Sequence, residues 1–261
     1  MTDTKEKRHR IGDPFNNNLK TVEIRRFANV SDQLADIPVL RRHQNVVCKY
    51  IDTYHSLLRC FMMVHEMGTG KTPTAVFLMD ILKKHYPERK LLLIAPKSLH
   101  NNFNNTVAMF KDYISYKQED VAYVTLNAPN LYDQLMLAHT TPQEAKLYNN
   151  NKNSYVKDDV FDNLICVVDE AHNFFSTVAN SKHIIKSGET QAEDYKQSER
   201  IYNLIMNPNS SPKIIFMSGT PIANTPFEFA IAANMFKGLL NVGGNKISVF
   251  PEIHSLFNDY F

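Results

Sequence analysis

The sequence lacks an excess of charge of either sign: 29 Lys and Arg stand against 27 Asp and Glu, for a formal net charge of +2. A molecule-wide electrostatic attraction for nucleic acid is thereby excluded, and any nucleic-acid surface has to be a local patch. Cysteine is scarce too. Its three copies, Cys48, Cys60 and Cys166, are odd in number and widely spaced, which suits neither a disulfide framework nor a zinc site. Cys60 and Cys166 lie in or beside apolar runs and read as small buried hydrophobes in a reducing compartment. No apolar run approaches the roughly 18 residues that span a bilayer. The N-terminus is polar and basic (Lys5, Lys7, Arg8, Arg10) with no apolar stretch behind it, unlike a secretory signal. There is no internal repeat. These absences predict a soluble intracellular chain with no membrane partner. What is present, 261 residues of which 43% are hydrophobic and 21% charged, suffices for one large domain or two small ones.

Along the chain, residues 1–38 read as a polar, basic arm. From there Val46, Val47, Tyr50, Ile51 and Tyr54 recur at helical spacing. Short apolar runs predict strands at Cys60–His65, Lys90–Ala95, Val121–Thr125, Leu164–Val168 and Lys213–Met217, with helices at Lys71–His85 and Ser98–Lys111 between them. Such alternation predicts an α/β fold: a largely parallel sheet covered by helices on both faces. Right-handed crossovers bring every strand's C-terminal end to one edge, where ligands bind in such sheets. Two polar insertions break the rhythm. Residues 140–159 read as a surface loop or short helix, and 181–211 as a loop followed by a helix bearing Ile201, Leu204 and Ile205.

Three segments carry chemistry. His65-Glu66-Met67-Gly68-Thr69-Gly70-Lys71-Thr72 follows a predicted strand and opens a predicted helix. Gly68, Thr69 and Gly70 permit a tight turn whose N–H groups face an anion, and the helix N-terminus adds partial positive charge there. Lys71 would reach the outer phosphates of a nucleotide and the Thr72 hydroxyl would ligate magnesium. His65 stands where the general phosphate-loop pattern has glycine. Cys166-Val167-Val168-Asp169-Glu170-Ala171-His172 ends a buried strand in two carboxylates. Asp169 would hold hydrated magnesium and Glu170 would orient or deprotonate the attacking water. His172 reads either as a polar residue at a helix start or as a relay. Ser218-Gly219-Thr220-Pro221 reads either as an ordinary strand exit or as a sensor of nucleotide state through Ser218 and Thr220.

Together these segments resemble motifs I, II and III of superfamily 2 helicases, in the wording of the Swi/Snf-like branch. Within it the chain resembles the helicase-like transcription ATPases of large nucleocytoplasmic DNA viruses. The resemblance runs from about Leu40 to Phe236. It implies a RecA-like phosphate-loop lobe over 39–240, with ATP and Mg2+ as ligands and DNA or RNA as partner. It also implies transcription or replication machinery nearby, in the host cytoplasm or virion core. It assigns Gln44 to adenine and Arg41 to a supporting contact. Ala95-Pro96-Lys97-Ser98-Leu99 resembles motif Ia, making Lys97 and Ser98 the candidates for nucleic-acid phosphates. Asn101 and Asn102 could join them, although asparagines at a helix start are usually plain polar surface.

Motors of this kind close two such lobes around ATP, the second supplying arginine fingers. After the third motif about forty residues remain, too few for another sheet domain. Residues 241–261 are therefore expected to lead toward a second RecA-like lobe, in cis or in trans. Turnover by this chain alone is expected to be weak, because losing such an arginine costs on the order of a thousandfold. Two other readings compete. A different phosphate-loop phosphotransferase needs an acceptor site. A non-catalytic interaction module has no physical need to keep Lys71, Thr72, Asp169 and Glu170 together.

Overall fold

The computed structural model describes residues 34–138, 140–150, 159–184, 193–220 and 224–260. All but the last residues of the predicted N-terminal arm lie outside them. The core is a five-stranded, wholly parallel sheet built from β1 (Cys60–Val64), β2 (Lys90–Ala95), β3 (Val121–Thr125), β4 (Leu164–Val168) and β5 (Lys213–Ser218). Its order is β1-β5-β4-β2-β3.

β4 and β5 are buried at every position, which explains their continuous apolar runs. Alternate residues feed two cores, as the period of a strand requires. Leu91, Leu93, Ile165, Val167 and Met217 pack with α1 (Arg42–Tyr54), α2 (Lys71–His85) and α3 (Lys97–Met109). Leu92, Ile94, Cys166, Val168 and Phe216 pack with α4 (Leu131–Ala138), α6 (Ala171–Ile184), α7 (Glu193–Met206) and α8 (Pro226–Lys237). The expected α/β sheet with helices on both faces is what the chain forms.

The first insertion contains a short helix, α5 (Pro142–Asn150), anchored by the buried Tyr148, whose hydroxyl bonds Asp133. In the second, α7 buries Ile201 and Ile205. The loop expected ahead of that helix falls mostly on residues outside the described set. Residues 240–260 form a two-stranded hairpin, β6 (Leu240–Val242) and β7 (Asn245–Ile247), then α9 (His254–Tyr260). They pack back onto the lobe. The buried Asn234 amide of α8 brackets Phe250, donating to its carbonyl at 3.1 Å and accepting its N–H at 2.8 Å, and Phe257 enters the core. No helix among the described residues is long and apolar enough to cross a membrane.

The edge opposite the strands' C-terminal ends is closed by cations set against carbonyls. Arg59 donates to Ile205 O and Ser210 O, Arg89 to Ser211 O, and the Lys213 ammonium to His55 O and Leu58 O at 2.7 Å each. Burial first, then the neighbouring Arg89, pull the Lys213 amine down to about 8 from its ordinary 10.5. Between those two values the unfolded chain binds the proton that the folded chain has released. Stability attributable to Lys213 therefore rises with pH across that window. Cys48 and Cys60, pushed up to about 12 by burial, act in the opposite direction above pH 9. The comparison with Lys213→Met removes them. In paired urea titrations, the stability of the protein relative to that variant is expected to grow between pH 7.5 and pH 10. A constant or shrinking difference would show that Lys213 stays charged in the folded state.

Candidate functional site

The phosphate-loop segment leaves β1 and turns into α2 through two glycines in the left-handed region, Gly68 (φ 79°) and Gly70 (φ 89°). Gly70 has a second constraint: a Cβ there would lie 2.5 Å from Gln44 Nε2. The loop is held from outside by the start of α1. Gln44 Nε2 donates to Gly70 O and His43 Nε2 meets Thr69 O, both at 3.0 Å. Gly70 O also accepts the Thr74 N–H and hydroxyl at 3.1 and 2.9 Å. With its carbonyls pinned in this way, the loop delivers the unpaired first-turn N–H groups of α2 to the C-terminal edge of the sheet.

His65 does not strain the loop. Its N–H donates to Ser218 O at 3.2 Å, extending the β1–β5 ladder. Among the described residues Glu170 is the one non-glycine at positive φ, so His65 sits in ordinary backbone and glycine is not required there. Its ring lies edge-on to His43, with Nδ1 buried and unpartnered. Burial, then His43 and Lys71, lower its pKa and favour the neutral ring.

Asp169 follows directly on β4, and its N–H donates to Ile94 O at 2.9 Å. Asp169 is only 7% exposed, and burial raises its pKa from the ordinary carboxylate value. The Glu170 N–H, donated to Oδ1 at 2.9 Å, opposes that shift. Glu170 itself adopts φ 53°, a costly conformation for a residue with a Cβ. Its two oxygens face in different directions: Oε1 lies 3.9 Å from Lys71 Nζ, Oε2 3.4 Å from His172 Nδ1. His172 Nδ1 is also 2.9 Å from Ser218 Oγ, which donates to Thr220 O at 2.7 Å and accepts the Thr220 N–H at 3.1 Å. One proton arrangement satisfies all these bonds: His172 carries its proton on Nδ1 and donates to Ser218. A Cβ at Gly219 would lie 3.3 Å from Lys71 Nζ, so a larger residue there would push the ammonium aside by a few tenths of an ångström.

Lys71, Glu170, His172, Ser218 and Thr220, read from three separate motifs, thus form one connected chain. Gln44 is buried against the phosphate loop and its Oε1 accepts the Arg41 N–H at 2.8 Å, while the Arg41 side chain is exposed. Lys97 and Ser98 open α3 at the end of β2 and are exposed. Pro221 lies outside the described residues. Thr72 and Asp169 supply hard oxygen donors of the kind magnesium takes alongside phosphate and water, so the donor set fits that ion. Sequence reasoning missed His43, although its place beside Gln44 was a usable signal. It also missed Asn224, whose amide donates to Ser176 Oγ at 3.0 Å and Glu228 Oε1 at 2.9 Å.

A family model described as type III restriction enzyme, res subunit, matches residues 37–223. The chain belongs to this family. It is a helicase-like domain with viral relatives. The termination factor NPH-I homolog of African swine fever virus is 28% identical over 191 residues, covering 69% of this chain and 22% of the viral protein. A mimivirus protein named as a candidate ATP-dependent RNA helicase is 27% identical over 229 residues, covering 85% of this chain and 25% of that one. The chain therefore spans between 22% and 25% of these relatives. Among solved structures, the SWI2/SNF2 ATPase core of Sulfolobus solfataricus in complex with dsDNA superposes with a TM-score of 0.46 at 18% identity. That match covers 85% of this chain and 38% of that one.

Proposed function

We propose that residues 39–240 are the ATP-binding lobe of a nucleic-acid-dependent ATPase, a helicase or translocase serving viral transcription or replication. The observation that carries this reading is the polar chain in which Glu170 faces both Lys71 and His172 as an ion-pair partner, and His172 hydrogen-bonds to Ser218 and Ser218 to Thr220, joining the loops after β1, β4 and β5. A phosphotransferase or a scaffold has no use for that linkage. In this reading the loop N–H groups and Lys71 bind the outer phosphates of ATP, and Thr72 with Asp169 holds magnesium. Magnesium, when bound, neutralises charge on the β- and γ-phosphates. Glu170 orients the attacking water and takes its proton. Gln44 keeps one amide hydrogen and one lone pair free while holding Gly70, enough to read adenine at the same time. His172, which closes the Asp169-Glu170-Ala171-His172 (DEAH) box, transmits nucleotide state together with Ser218 and Thr220 of the third segment. Lys97 and Ser98 contact DNA or RNA phosphates. The partner is a second RecA-like lobe, in cis or in trans, within a transcription assembly.

ATP turnover by the purified chain, with and without single- and double-stranded DNA and RNA, tests the proposal. Magnesium-dependent ATP binding with slow turnover is expected. Absence of binding would overturn it in favour of a scaffold, and phosphate transfer to a small acceptor in favour of a phosphotransferase.

A further inference from the structure

Thr72 has a neighbour that the sequence offered beside Lys97 and Ser98 for nucleic acid and gave no part at the magnesium site. Asn102 of α3 places Nδ2 at 3.5 Å from the Thr72 hydroxyl, the far end of hydrogen-bond range. Its backbone is tightly fixed. The Thr106 hydroxyl donates to Asn102 O at 2.8 Å, and His100 Nε2 meets Ala95 O at 3.1 Å. The adjoining Phe103 and Val107 are 2% and 1% exposed. The exposed side chain of Asn102 is thus held at Thr72 by its own helix. Ser98 lies four residues earlier, so it shares the same face of α3 one turn closer to the helix start.

We propose that Asn102 is a positioning residue for the Thr72 hydroxyl, making magnesium binding responsive to nucleic acid at the start of α3. This rests on the reading of Lys71, Thr72, Lys97 and Ser98 given above. A threonine hydroxyl has one hydrogen and two lone pairs. When one lone pair faces a cation, the Asn102 amide donates to the other or, turned over, accepts the hydroxyl hydrogen. Either bond fixes the Thr72 rotamer. A contact at 3.5 Å is sensitive to shifts of a few tenths of an ångström. A phosphate drawing on Lys97 and Ser98 pulls on α3 one turn before Asn102, so the contact tightens with occupancy of that end.

The experiment is a magnesium titration of N-methylanthraniloyl-ATP binding to the full chain, repeated with a single-stranded oligonucleotide and in EDTA. Asn102→Ala is expected to need roughly tenfold more magnesium for half-maximal binding, the usual scale for losing a group that orients a metal ligand. Its affinity in EDTA should match the parent. The oligonucleotide should lower the magnesium requirement of the parent and leave that of Asn102→Ala unchanged. Thr72→Ala separates the two possible failures. A shifted Thr72→Ala curve beside an unshifted Asn102→Ala curve refutes the role of Asn102 alone. Unshifted curves for both refute the magnesium site itself. A loss in EDTA equal to that in magnesium would make Asn102 merely structural, and would also overturn the proposal.

Discussion

Lys71→Ala is expected to lower kcat/KM for ATP by 10²- to 10³-fold, about 3–4 kcal/mol of transition-state stabilisation, with nucleotide binding weakened as well. Lys71 is the cation at the centre of the site: 3.9 Å from Glu170 Oε1, against Gly219, with its side chain only 13% exposed. Removing it withdraws charge from the phosphates in ground and transition states alike. It also leaves the Glu170 carboxylate facing an anionic ligand without compensation. The fold should be indifferent, because Lys71 begins α2 and the helix is anchored by Thr74 to Leu78, all buried. Steady-state turnover beside the thermal midpoint of the same samples checks this. Turnover within threefold of the parent at an unchanged midpoint would remove Lys71 from the chemistry and leave the scaffold reading standing.

How much of this was legible in the sequence depends on whether the signal was local. β2, β3 and β4 have the bounds expected of them because each is a short apolar run bracketed by charged or turn residues, and α2 because it opens on the phosphate-loop glycine and closes on Lys83, Lys84 and His85. α8 escaped because it is apolar nearly all round: Phe227, Ala230, Ile231, Ala232 and Met235 are all buried, so no polar face marks its period. The β6–β7 hairpin turns on Gly243 and Gly244, both at positive φ. That pair is a recognisable hairpin signal which was passed over. In the site, residue types and spacing pointed to Lys71, Thr72, Asp169 and Glu170, but not to what each one touches. Contacts such as His172 to Ser218 follow from β5 lying between β1 and β4, and that strand order is decided by packing across the whole sheet. The same holds for Asn102, which meets Thr72 only because α2 and α3 cover the same face.

Glu170→Gln should give the opposite split from Lys71→Ala. ATP affinity is expected to be kept or tightened while kcat falls by 10²- to 10³-fold, since an amide can hold a water but cannot take its proton. Glutamine matches glutamate in size and, like it, carries a Cβ, so the strained φ of 53° is imposed equally on both. Whatever changes is therefore not the backbone. The substitution removes a negative charge beside the bound phosphates and withdraws the carboxylate from Lys71 and from His172 Nδ1. The first effect favours nucleotide; the second frees Lys71 for it. His172 still has Ser218 at 2.9 Å, so the link to Thr220 survives and nucleotide can still be sensed. The variant should consequently accumulate in the ATP-bound state and hold nucleic acid in whichever affinity state ATP dictates. Equilibrium binding of a fluorescent ATP analogue, set against single-turnover hydrolysis, measures both halves of the split. If affinity and turnover fell together, Glu170 would be a binding residue through Lys71, and the proton acceptor would have to be sought elsewhere on the same sheet edge.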